Sequence, residues 1–237
     1  MNNERREGGI ALSRGRLLVS YLLKCVVVAS AAVGVILSAM ASASTFMGGG
    51  RVFMYFTIQS NIAIGLICLI GGLLLAAGRK PGNGWHVIKF MGTVSITLTG
   101  VVFCFVLAPT LGRYAWNAQN ILTHVVVPIA AIADFFVAGI CGDLKWSDAL
   151  YGTLPPLAYA VYAGIGYAAG WEFSPGRNYP YFFLNWGSPA GAFGFSRELP
   201  FMGCGWWLVG LFILVYLVGL AYVSALNAMK RRAMRRL

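Results

Sequence analysis

The sequence predicts an all-α, polytopic membrane protein, a bundle of six transmembrane helices with both termini in the cytoplasm. Three observations lead there. Of 237 residues, 59% are hydrophobic and only 11% charged, against about 25% charged in a typical soluble domain. Six stretches reach the ~20 apolar residues that a bilayer core requires. The basic residues gather beside those stretches, which is the pattern that sets orientation in a membrane. The net charge of +11 is thereby explained as topology, and no nucleic-acid partner is expected.

Residues 1–16 form a basic tail containing Arg5, Arg6, Arg14 and Arg16. A transmembrane domain over 17–228 follows, with spans near 17–40, 52–77, 86–108, 119–140, 148–170 and 204–226. A second basic tail, 229–237, closes the chain. The first span ends on "ASAS", where Ala41 and Ala43 offer the small residues of a signal-peptidase site. The apolar run before it is far longer than the roughly 7–15 residues of a signal h-region, so it reads as a retained anchor. Cleavage would leave five spans and an external N-terminus.

Orientation follows from Lys and Arg. Arg79 and Lys80 lie between the second and third spans, Lys145 lies between the fourth and fifth, and Lys230, Arg231, Arg232, Arg235 and Arg236 end the chain. The opposite connections hold only Arg51, Arg113, Arg177 and Arg197. The richer side is the cytoplasmic one, where the closing tail meets anionic headgroups of the surrounding lipids. The one long connection, 171–203, is aromatic, rich in Gly and Pro, and external.

Cys25, Cys68, Cys104, Cys141 and Cys204 are scattered, with no CxxC and no metal-ligand spacing. Cys104 and Cys204 fall near outer helix ends and are candidates for a pair, although small packing residues are the plainer reading. His86 and His124 lie toward opposite faces of the membrane, so they cannot share one haem. The sequence contains no P-loop, dinucleotide fingerprint or HExxH. No metal or other cofactor is expected.

The second span opens on "YFTIQSNIAI". Thr57, Ser60 and Asn61 share one helical face, because positions three and four apart are neighbours; Gln59 points away. In the fourth span Asn117, Asn120 and His124 recur at the same spacing. Thr57 lies roughly 8–9 Å and His124 roughly 7–8 Å below their outer mouths, so hydroxyl and imidazole share a depth. Pro128 cannot donate to the His124 carbonyl, which predicts a disturbed helix there. Thr57 as nucleophile, His124 as base, and Asn61, Ser60 or Asn120 as polar pocket groups compose an esterase-like site. The same residues read as hydrogen bonds between helices, and spacing alone favours that plainer account. Asp134, the only acid deep within a span, lies roughly 15 Å further down; Lys89 is its expected ion-pair partner, with Lys24 second.

The runs "YFTIQSNIAI", "LTHVVVPIAAIADFF", "KWSDALYGTLPPLAYAVYAGIGYAAG" and "NYPYFFLNW", in that order, resemble the bacterial branch of the androgen-induced protein family. The resemblance implies six spans and a bacterial inner (plasma) membrane. It also implies threonine hydrolase chemistry, as in eukaryotic relatives that cleave fatty acid esters of hydroxy fatty acids, with Thr57 and His124 matching the catalytic pair. A lipid or amphiphilic ester is then the expected substrate, met by Tyr179, Tyr181, Arg177 and Asn185 of the outer loop. Where the bacterial pattern commonly has an acid, this chain has Asn185. Two rivals remain. One is a small transporter or channel using Asp134 and a fifth helix broken at Pro155–Pro156; the other is a lipid-binding scaffold without turnover.

Overall fold

The computed structural model describes residues 13–41, 48–79, 81–138 and 144–235. Arg5, Arg6, Ala43, Lys80, Cys141 and Arg236 lie outside the described residues. The elements are α1 (Arg14–Met40), α2 (Phe56–Ala76), α3 (Asn83–Ala115), α4 (Ala118–Val137), α5 (Leu154–Ala168) and α6 (Cys204–Met234). Among the described residues, β structure is limited to isolated bridges at Ser174–Arg177 and Phe195–Met202. All of these helices except α5 are long and apolar enough to cross a membrane. The chain is a multi-pass, all-helical membrane protein.

The stretch near 148–170, expected as a sixth span, does not form one continuous helix, and five candidate spans remain among the described residues. Proline lacks an N–H and clashes with the preceding turn, so an α-helix cannot run unbroken through Pro155 and Pro156, yet both fit a first turn. A 3-10 helix over Trp146–Thr153 therefore precedes α5, which retains 15 residues. The second span is also shorter than expected. Val52 to Met54 belong to a 3-10 turn, Gly49–Met54, and α2 begins at Phe56.

Helix α3 is the hub. Every residue from Gly92 to Gly100 is buried, as expected of a helix surrounded on all sides. Toward α1, α2 and α4 it meets a seam of small and β-branched residues, including Ala31, Cys68, Ala130 and Val127. Lipid tails are as apolar as leucine, so helices in a membrane adhere by close packing, and small residues permit it. At Gly34 of α1 an added Cβ would stand 2.6 Å from Thr123 Cγ2 of α4. Toward α5 and α6 the core is aromatic, with Phe90, Phe135 and Tyr159, and the long connection adds Phe173, Tyr181 and Phe183. Phe193, Phe195 and Phe201 of that connection stay exposed. It thus divides into an inserted plug and an exposed aromatic fringe.

Two π-turns face each other across α3 and α4. Phe103–Leu107 ends shortly before Pro109, and Leu122–Val126 ends shortly before Pro128. The disturbance expected at Pro128 appears here as one wider turn, in which the Val127 N–H reaches back to Leu122 O. Cys104 and Cys204 are both free thiols, so the candidate pair does not form.

Candidate functional site

Thr57 stands in the first turn of α2, whose N–H groups have no partner within the helix. The N-cap residue, Tyr55, makes no side-chain cap bond. Tyr181 supplies the missing partner from the plug: its hydroxyl lies 3.3 Å from Thr57 N and 3.4 Å from Thr57 Oγ1. Burial pushes the Tyr181 hydroxyl above its usual titration range, so it remains protonated and can donate. The Tyr181 ring stacks on Phe183, with centroids 5.1 Å apart, and meets Tyr55 edge-on. The Tyr159 hydroxyl donates to Met54 O just before α2.

Thr57 and Tyr181 line a cleft between α3, α5 and α6. The cleft measures about 700 Å³ with its open side included. Its other walls are mainly apolar, among them Leu98 and Val102 of α3 and Leu211 of α6; Thr99 and Tyr159 add polar edges. Leu157 of α5 and Phe212 of α6 line it while remaining exposed, so it opens sideways between those helices. This opening exists because α6 packs mainly on the 3-10 segment before α5. Arg51 and Glu172, both partly exposed, pair at 2.5 Å and tie the turn before α2 to the long connection.

His124 is buried beside this cleft but does not line it. Its ring stacks on Phe103, with centroids 3.8 Å apart. Nδ1 lies 3.1 Å from Asn120 O and 3.0 Å from Thr123 Oγ1. Thr123 spends its own hydroxyl proton on Gln119 O, so both neighbours of Nδ1 act as acceptors. Nδ1 therefore carries the ring proton, and Nε2 keeps a lone pair. No hydrogen bond joins Thr57 to His124; Asn61 connects their backbones, donating to Thr57 O at 2.8 Å and to Thr123 O at 3.1 Å.

The other expected pocket groups are already engaged. Both bonds made by the Asn61 amide go to backbone carbonyls, while its Oδ1 is buried with no partner among the described residues. Ser60 bonds Thr57 O and Thr99 Oγ1. Asn120 donates to Ala115 O and does not reach the cleft. Of the four loop residues expected to meet substrate, Tyr181 alone lines the cleft. Tyr179 is half-buried, Arg177 is exposed in the turn closed with Ser174, and Asn185 accepts from Gly187 N–H. Thr99 and Tyr159 were missed in the sequence, where nothing sets one hydroxyl among many apart. Compared with family models, curated proteins and solved structures, the chain matches none.

Asp134 forms a separate site. Its Oδ2 accepts from Lys89 Nζ at 2.6 Å, the expected pair. Its Oδ1 accepts from Lys24 Nζ and from Ser20 Oγ, each at 2.6 Å. The second candidate cation is thus an addition to the first and not a substitute for it.

Proposed function

We propose that the protein is an integral membrane hydrolase that cleaves carboxylic esters of lipid type, with Thr57 as nucleophile and His124 as base. The observation supporting this most directly is that Thr57, in the first turn of α2, lines a mainly apolar, laterally open cleft. An acyl chain fits the apolar walls, and its ester carbonyl then meets the start of α2. Thr57 Oγ1 attacks the carbonyl carbon and gives its proton to His124 Nε2. The resulting oxyanion is met by Thr57 N–H and the Tyr181 hydroxyl, donors reinforced by the positive end of the helix dipole. The alcohol leaves with the proton from His124, and water then releases the acid and restores Thr57.

One water molecule between Thr57 and Nε2 carries the proton, since general bases can act through a single water. Asn61 Oδ1, a buried acceptor lacking a donor among the described residues, supports such a polar gap. The composite segment from Trp146 through α5 serves as the sixth crossing, in a bacterial inner membrane with both termini cytoplasmic. Asn61, Ser60 and Asn120 support the backbone of the site, and Tyr181 replaces them as side-chain oxyanion donor.

A fluorophosphonate probe and a fluorescent lipid ester test this. Wild type labels and turns over; Thr57→Ala and His124→Ala lose both. Unchanged turnover in Thr57→Ala would remove the nucleophile. A second reading, an amphiphile-binding protein without turnover, is favoured by the lack of a direct Thr57–His124 bond. It predicts lipid binding with neither labelling nor hydrolysis in wild type.

A further inference from the structure

The charged cluster at the other end of the bundle lies outside the ester site and holds one cation too many. Lys24 and Lys89 share a single carboxylate, Asp134, and all three are at least nine-tenths buried. Asp134 itself is 0% exposed. With every group ionised the cluster bears one uncompensated positive charge, and an unpaired buried charge is costly in a low-dielectric interior. The two lysines are not equivalent. Lys24 Nζ donates to Asp134 Oδ1 and, at 2.7 Å, to Ser20 Oγ, whereas Lys89 Nζ has Asp134 Oδ2 as its one acceptor among the described residues.

We propose that Ser20, Lys24, Lys89 and Asp134 form a proton-binding site in which the two amines, sharing one carboxylate, together take up and release one proton. The proton moves between the paired amines and water, leaving a cluster with zero net charge. The route lies at the start of α3, where His86 sits one turn before Lys89. Among the described residues, the titratable groups facing the cluster are Cys68 of α2 and His86 of α3, and Lys230 of α6 acts on His86. The site is independent of Thr57 chemistry and serves a proton-linked function at the tail-bearing end of the bundle.

The test is thermal unfolding of purified protein in detergent between pH ~5 and ~10, in a His86→Gln, Cys68→Ala background with Lys230 retained throughout. An unfolded lysine stays protonated in water, so once the native cluster has released its proton the unfolded state binds more protons and stability rises with pH. The parent should gain about 3–5 °C in Tm per pH unit above the pH at which the native cluster has lost its proton, as long as the unfolded lysine keeps its own. Lys24→Met and Lys89→Met each leave one cation on one anion, so both should fold and lose that slope. A parent as flat as the two variants, or a slope that survives in either, would overturn the proposal.

Discussion

Tyr181 and Asp134 show how much single side chains do here. Tyr181 caps α2 from a distant segment, so Tyr181→Phe keeps the ring stack and removes only the hydroxyl that meets Thr57. The expected cost is about 1 kcal/mol, the size of a lost helix cap, read as a small fall in Tm. If Tyr181 also donates to the oxyanion, turnover of the lipid ester falls by about 10²-fold or more; unchanged turnover would leave it a cap alone. At Asp134 the asymmetry is larger. Asp134→Asn strands two buried ammonium groups and should cost about 3–5 kcal/mol, whereas Lys24→Met leaves a balanced pair and should cost little. Comparable losses in denaturant melts would contradict the bond pattern. Thr57, Ser60, Asn61 and His124 were legible as polar residues at helical spacing. Their partners were not, because Tyr181 follows Thr57 by 124 positions and only tertiary folding brings them together.

At the scale of elements, the apolar runs marked helices well but misjudged their ends. Val52 to Met54 are as apolar as the α2 residues that follow, so hydropathy could not separate a 3-10 turn from a helix start. The consequence is chemical, since it moves Thr57 from mid-helix to the first turn, where its N–H takes a partner from outside the helix. Pro155 and Pro156 did announce the change from 3-10 to α, because their constraint is covalent. The π-turns left no comparable mark beyond the prolines that follow them. Their junction offers a sharp test at Gly100, where an added Cβ would stand 3.0 Å from His124 O and 3.2 Å from Pro128. Gly100→Ala should push α3 from α4 and cost about 1–3 kcal/mol by overpacking, lowering Tm and disturbing the Phe103–His124 stack. Full stability with wild-type His124 resonances would mean that the two helices pack less tightly there.

For the whole molecule, the number of crossings decides where the two basic tails lie. Five crossings part the ends of the chain, and six return them to one side. The segment from Trp146 to Ala168 combines eight 3-10 residues with fifteen α-helical ones, together spanning roughly 38 Å against a core of about 30 Å. Length therefore permits a sixth crossing even though α5 alone is too short. Charge argues the same way. Arg14, Arg16, Arg79, Lys145, Lys230 and Arg231 all fall on one side only if that segment crosses, and an excess of Lys and Arg marks the cytoplasmic face. Epitope tags at both ends should accordingly become reachable only after cells are permeabilised. In a background with the native cysteines replaced, Phe195→Cys in the exposed fringe should react with an impermeant maleimide in intact cells. One tag accessible without permeabilisation would place the tails on opposite sides and reduce the bundle to five crossings, with Trp146–Ala168 lying against one face as a surface-docked segment.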